Sequence, residues 1–295
     1  MKDNSELKRA VNPSSGMSPG SGSPNMAAVN GFLQEAMRHV GSGDWEAAIT
    51  ACHKVLAIAP DSIQAHHLMA GVTLPGEHYL SLMRRIHGCL RPETYVEIGV
   101  ASGDSLTLVQ EGTTAIGVDP APRIANTLLP GTRVFIEKSD DFFSRHDVRA
   151  ELGGRPINLA FIDGMHKFEF ALRDFINIER YCTSNSTVLV HDCFPLDEAT
   201  AARERITSFW SGDIWKLIIC LKKYRPELEI YTIASPPTGL GLVRHLDPRS
   251  TVLQENLQKI CDEFIPLPYS AIANAKPQSL NIFPNVWLQV RALFS

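Results

Sequence analysis

From residue 94 to residue 244 the chain alternates short, almost wholly apolar runs with longer amphipathic ones, and this alternation restricts the fold more than any other feature. The apolar runs lie at 95–99, 115–119, 134–137, 157–162 and 187–190, with helical patterns over 105–110 and 169–181. Strands that are apolar on both faces, interleaved with helices, predict a parallel sheet covered on both sides. After a helical stretch at 214–221 come two more strand patterns, 229–233 and 240–244. Only a short connection with Pro236, Pro237, Thr238 and Gly239 separates them. A parallel crossover needs about a dozen residues, so these two strands, if neighbours, pair antiparallel. The expected fold is α/β, a doubly wound, Rossmann-like sheet of seven strands with the last antiparallel.

The flanks have a different texture. Residues 1–25 are rich in Ser, Pro, Gly and Asn and lack the apolar stretch of a secretory signal. A disordered tail is expected over 1–30. Phe32, Leu33, Ala36, Met37 and Val40 then recur at helical spacing, and Gly41-Ser42-Gly43-Asp44 interrupts them. Trp45, Ala48, Ile49, Cys52, Val55 and Leu56 form a second stripe, ended by Pro60-Asp61 before a third helix at 63–72. The run from Gly43 to Asp61 resembles a tetratricopeptide repeat, departing from it at Cys52 and Val55. One repeat cannot bury its own apolar face. The helical segment, 31–76, is therefore expected to pack on the following domain or on a second subunit. The central domain is expected over 77–247, opening with a helix at 79–90 that ends at Arg91-Pro92. A helical extension is expected over 248–295, with a helix near 251–264 and an amphipathic end at 281–294. A homodimer through the N- or C-terminal helices is the expected assembly.

Composition excludes several classes of function. A net charge of −4 and a pI near 6.2, with no basic tract, give no footprint for nucleic acid. No apolar run approaches the roughly 20 residues that span a bilayer. The six cysteines are scattered and none forms a C-x-x-C pair, which reads as reduced thiols in a cytoplasmic protein.

In a doubly wound sheet a ligand binds beyond the carboxyl ends of the strands, where strand order reverses. Three loops there carry suitable groups. The first is Glu97-Ile98-Gly99-Val100-Ala101-Ser102-Gly103-Asp104-Ser105, whose glycines permit a tight turn and close approach of a ligand. The second is Gly117-Val118-Asp119-Pro120, where a carboxylate can accept hydrogen bonds from two ribose hydroxyls. The third is Ser139-Asp140-Asp141-Phe142, whose polar groups and aromatic ring suit an adenine. Asp119 alone does not separate S-adenosylmethionine (SAM) from NAD, since both carry a ribose. The first loop, E-x-G-x-x-x-G, lacks the pyrophosphate cradle of G-x-G-x-x-G. SAM has no pyrophosphate, and its amine and sulfonium suit a nearby acid such as Glu97.

The stretches YVEIGVASGDSL, AIGVDP, FIDGMHKFEFALRDF, VLVHDCF and PPTGLGLV, in that order, resemble the class I SAM-dependent methyltransferases. Within that family the chain is similar to the subgroup with an IDG-x-H … HD pattern, which includes metal-dependent O-methyltransferases acting on macrolide sugars. The resemblance covers roughly half the chain. It implies SAM as cofactor, held by Glu97, Gly99, Ser102, Gly103, Ser105, Asp119, Asp140, Asp141 and Asp163.

Asp163, Gly164 and His166 follow the fourth strand and His191-Asp192 the fifth, on the same rim of the sheet. Carboxylates at adjacent strand ends can share a divalent ion, which would lower the pKa of a substrate hydroxyl. A neutral histidine nearby can then take the proton. The resemblance implies Asp163 and Asp192 as metal ligands and His166 as general base, with Asp163 beside it in the catalytic set. The chain departs at His191, where the relatives have an acid, and at Cys193, where catechol-type relatives have an oxygen ligand. A mixed set of Asp163, His191 and Asp192 suits Mn²⁺ or Fe²⁺ as well as Mg²⁺. Plainer roles exist for the same residues: Asp163 as a helix cap, His191 as a core histidine, Lys167 on a solvated face, Trp210 and Trp215 in packing. The expected activity is O-methylation of a small hydroxylated substrate, a sugar or secondary metabolite. The alternatives are a NAD-binding oxidoreductase and a non-catalytic protein whose N-terminal helices engage a partner.

Overall fold

The computed structural model describes residues 25–294, so residues 1–24 of the expected tail lie outside it. The chain is helical from Met26, earlier than the pattern of apolar residues suggested. Helix α1 (Met26–Ser42) is N-capped by Asn25 and ends at Gly43, whose φ of 75° is the left-handed conformation a helix terminus favours. Asp44 at once caps α2 (Trp45–Ile58) through Ala47 N–H, and Ser62 caps α3 (Ile63–Thr73). Ala36, Ala48 and Ala51 are wholly buried, so the helices approach closely where side chains are smallest.

Helix α4 (Tyr79–Leu90) leads into β1 (Thr94–Ile98). The other strands are β2 (Thr114–Val118), β3 (Thr132–Phe135), β4 (Leu159–Ile162), β5 (Thr187–Val190), β6 (Glu229–Ile233), β7 (Leu240–Arg244) and β8 (Ile282–Phe283). Their order across the sheet is β3-β2-β1-β4-β5-β7-β6-β8. β1 to β5 run parallel, and β7 inserts antiparallel between β5 and β6. β1, β4 and β5 are buried at every position, as a sheet covered on both faces requires. The doubly wound α/β fold with an antiparallel strand near its end is the architecture expected from the sequence.

The sheet has eight strands where seven were expected. The C-terminal amphipathic stretch supplies the eighth: β8 pairs parallel with β6 at the edge, and Thr232 N–H donates to the Asn281 carbonyl at 3.0 Å. Local differences have local causes. The helix expected over 105–110 is only a 3₁₀ turn, Leu106–Leu108. Ser105 turns its hydroxyl inward to Glu97, and the β-branched Thr107 and Val109 disfavour an isolated helical turn. β3 stops at Phe135, opposite the last residue of β2, so Ile136 and Glu137 have no strand to pair with. The helix expected near 251–264 divides into α9 (Val252–Glu255) and α10 (Leu257–Phe264), where the Asn256 side chain donates to the Val252 carbonyl at 2.9 Å.

Helices α5 (Ser139–Arg145), α6 (Val148–Glu151), α7 (Phe168–Glu179) and α8 (Trp215–Tyr224) complete the domain's layers. The N-terminal helices pack on this same chain. Leu196 and Phe209, from the segment between β5 and α8, are buried in one apolar cluster with Leu33, Val55 and Met69 of α1–α3. No helix among the described residues is long and apolar enough to cross a membrane.

Candidate active site

A cavity of about 680 Å³ runs along the carboxyl ends of the parallel strands. Its wall follows strand order: Lys138, Ser139 and Asp140 after β3, Asp119 and Pro120 after β2, Gly99 and Ala101 after β1. Asp163, Gly164, Met165 and His166 follow β4, and His191 and Asp192 follow β5.

At the β1–β2 end the glycine loop is held by Asp119. Its Oδ2 accepts from the backbone N–H of Val100 and of Ala101, each at 2.9 Å, and its Oδ1 from that of Ala121 at 2.7 Å. Three of roughly four acceptor positions are thus engaged. Gly99 has φ +88°, and a Cβ there would lie 2.0 Å from the Asp163 carbonyl oxygen. The loops after β1 and β4 therefore meet backbone to backbone, which only glycine allows.

Several residues expected to face a ligand do other work. Glu97 is fully buried beneath the loop and off the cavity wall. Its carboxyl accepts from Tyr95 Oη and Ser105 Oγ, each at 2.7 Å. Burial outweighs those bonds and pushes its pKa up to about 8. Ser105 is thus the partner of Glu97. Ser102 donates to Asp104 at 2.8 Å, and Gly103 makes room for Ile124. Neither lines the cavity. Asp140 does, but Arg173 grips its carboxylate through Nε at 3.0 Å and Nη2 at 2.8 Å. Asp141 lies off the wall, paired with Arg145 at 3.4 Å.

At the β4–β5 end four residues converge. Ligand atoms of Asp163, His191 and Asp192 all lie within 4.8 Å of one another. His191 Nδ1 is 3.2 Å from Asp163 Oδ1, and His166 Nδ1 is 2.8 Å from Asp192 Oδ2. The His166–Asp192 contact is a short, buried ion pair, and neither atom has a further hydrogen-bond partner. Thr238 donates to Asp192 Oδ1 at 2.6 Å, which fixes the carboxylate against β7. Burial alone would lower the His166 pKa, but the Asp192 and Asp163 carboxylates outweigh it and raise it to about 9. His191 moves in the same direction for the same reason. Burial would raise Asp192, yet the two histidines pull it below the usual range. His166 and Asp192 both sit in the left-handed region, φ 54° and 61°. Strain of this kind costs on the order of 1–3 kcal/mol per residue and clusters where a site demands a particular side-chain direction.

The segment before α8 closes this end. Gly212, φ +64°, lies so near His166 that a Cβ would be 1.9 Å from its carbonyl oxygen. The Trp210 ring stacks on the His166 ring, 5.2 Å between centroids and 12° from parallel. Cys193 is buried and donates to the Val190 carbonyl at 3.4 Å, a packing role.

Four lining or flanking residues had no signal in the sequence. Tyr79 of α4 places its ring 4.0 Å from that of His191. Thr238 reaches Asp192 only because β7 inserts beside β5. Asp174 of α7 is buried with Oδ1 unpartnered, and burial pushes its pKa up to about 7. His67, from the N-terminal helices, also lines the cavity.

Residues 96–193 match a family model described as a methyltransferase domain. That stretch, about a third of the chain, is similar to the methyltransferase family. No curated protein matches the chain. Among solved structures it is similar to cofactor-bound Rv0187 from MTB, at 14% identity and TM-score 0.45, covering 65% of this chain and 96% of that one. It is also similar to an O-methyltransferase from Bacillus cereus in complex with SAH, at 12% identity and TM-score 0.43, covering 61% and 87%. A third is the O-methyltransferase TomG from Streptomyces achromogenes, involved in tomaymycin synthesis, in complex with SAM: 12% identity, TM-score 0.45, covering 75% and 90%. The stretch matched to the methyltransferase family holds the glycine loop, Asp119, Asp163, His166, His191 and Asp192. It excludes His67 of α3, Trp210 and Thr238, which also line the cavity.

Proposed function

We propose that the chain transfers the methyl group of SAM to a hydroxyl oxygen of a small molecule, at the cluster of Asp163, His166, His191 and Asp192. The observation that carries this reading is the convergence of two carboxylates and two imidazoles at one end of a cavity whose other end is the glycine loop and Asp119. At about 680 Å³ the cavity has the volume of a small-molecule site. A methyl sulfonium is already activated, so the protein must chiefly align the acceptor and receive its proton.

The cluster fits a divalent cation. Its donor set mixes two carboxylates with an imidazole, and their ligand atoms lie within 4.8 Å of one another. Asp163, His191 and Asp192 would hold the ion, which supplies a Lewis acid that lowers the pKa of an acceptor hydroxyl. His166 is the group placed to take the proton. In the field of two bare carboxylates it is protonated at neutral pH, so it serves as a base only when positive charge offsets Asp163 and Asp192. Trp210 covers its ring face and Gly212 backs its carbonyl, so the imidazole is held in one orientation. Asp119 shapes the donor end by ordering the loop amides, with one acceptor position left for a ribose hydroxyl.

Calorimetry with SAM and S-adenosylhomocysteine tests the first half: micromolar binding is expected, weakened by Asp119→Ala. Absence of binding by the intact protein would remove the proposal. Turnover abolished by EDTA and restored by Mn²⁺ or Mg²⁺ is expected for the second half, and full activity in EDTA would leave His166 without its cation.

A further inference from the structure

We propose that the N-terminal helices complete the acceptor site, and that the acceptor is a mainly apolar, ring-bearing alcohol or phenol in place of a polyhydroxylated sugar. This rests on the methyltransferase reading above and narrows its substrate class.

The helices reach the cavity through one segment. Asp61, just before α3, accepts from Ser208 N–H at 2.7 Å. Next to it, the His66 ring stacks on Phe209, 4.9 Å between centroids and 4° from parallel. Its neighbour His67 meets the same phenylalanine edge-on at 5.8 Å. Phe209 is thereby buried between α3 and the cavity, and the next residue, Trp210, covers His166. Ser208, Phe209, Trp210 and His67 all line the cavity. The helices are thus joined to the reaction centre by three consecutive residues, and α3 contributes a side chain of its own.

The chemistry of that wall limits what it can bind. Met165, Phe209, Trp210 and Pro237 are apolar or aromatic. The Trp210 Nε1–H already donates to the Ala202 carbonyl at 2.6 Å, and the Thr238 hydroxyl to Asp192. Beyond the reacting cluster, the polar side chains left at this end are His67, Ser208 and the buried carboxyl of Asp174. A sugar entering here would exchange water for apolar surface at most of its hydroxyls, which is unfavourable without replacement partners. A flat apolar ring with one hydroxyl directed at the cluster would bury its body against matched surface and leave His67 at the rim.

The test uses the full-length protein saturated with S-adenosylhomocysteine, with 2-naphthol and methyl α-D-glucopyranoside as probes in calorimetry. Naphthol is expected to bind at least about tenfold more tightly than the glucoside. His67→Glu, at an exposed position where folding is undisturbed, is expected to weaken naphthol about tenfold, because the probe must then desolvate a carboxylate. S-adenosylhomocysteine affinity should stay within about twofold, since that end of the cavity is untouched. Equal or reversed probe preference, no naphthol binding, or unchanged naphthol affinity in His67→Glu would each overturn the proposal. Failure of the wild-type protein to bind S-adenosylhomocysteine would instead overturn the methyltransferase reading beneath it.

Discussion

The two ends of the cavity are built by different means. The β1–β2 end is made from neighbours in sequence: the glycine loop and the Asp119 that pins its amides are separated by one short turn and one strand. The β4–β5 end is made from distant pieces. Asp163 and His166, His191 and Asp192, Trp210 and Gly212, Thr238, Tyr79 and His67 come from six separate stretches of chain, brought together by strand insertion and helix packing. A site built from one local loop varies little without losing its ligand. A site assembled from many stretches can change its wall while its core stays fixed. Such a division suits the common donor and particular acceptor of the proposed reaction.

The sharpest test of the contrast is Asp192→Asn. It should lower turnover by about 10²–10⁴-fold, the usual weight of acid–base and charge groups, while leaving S-adenosylhomocysteine affinity within about threefold. Single-turnover rates and calorimetry measure the two arms separately. A parallel loss in both would show that the ends are not independent. Gly99→Ala should have the opposite profile. A Cβ 2.0 Å from the Asp163 carbonyl must separate the loops after β1 and β4. The expected result is a loss of about 2–4 kcal/mol in stability by urea titration and a collapse of donor binding.

A third prediction concerns Glu97, which supports the loop from beneath. Its folded pKa of about 8 lies above its unfolded value, so the folded state binds the extra proton between roughly pH 4.5 and 8. Stability is therefore expected to fall as pH rises through that window, and to level off above it. Glu97→Gln, which mimics the neutral acid, should lose about 1–3 kcal/mol less than wild type between pH 6 and 8. Equal pH slopes for the two proteins would show that Glu97 ionises freely. The smallest effect is expected of Asp61→Ala, which removes the exposed bond to Ser208 N–H. It should cost about 1 kcal/mol or less, with faster hydrogen exchange confined to 207–212 and donor binding unchanged.

These differences follow how each region could be read in the sequence. The parallel core, the reversed hairpin and the loops at Gly99, Asp119 and Asp163 were legible because each is a local pattern: a doubly buried strand ended by glycine or acid. The identity of the ligand-facing groups was less so. Glu97 looks from the sequence like a ligand for a cationic amine. In the fold Tyr95 lies two residues before it on the same strand face, and its hydroxyl takes the carboxyl. Asp140 is claimed by Arg173, a residue of α7. Pairings of that kind depend on which helix lies against which strand, and no short spacing reports them. The eighth strand escaped notice because a two-residue edge strand carries too few side chains to show a period.

The sequence by itself determined the sheet, its strand directions and the loops at the carboxyl ends of its strands, because strand burial and turn chemistry are encoded residue by residue. It also named the acids and histidines that converge at the β4–β5 end. The tertiary structure alone decided that His166 lies beside two carboxylates that raise its pKa, that Thr238 and Trp210 contact the cluster, and that α3 reaches the cavity wall. Those outcomes depend on long-range packing: the insertion of β7 beside β5, and the burial of Phe209 against His66. Neither contact is written in any one stretch of the chain.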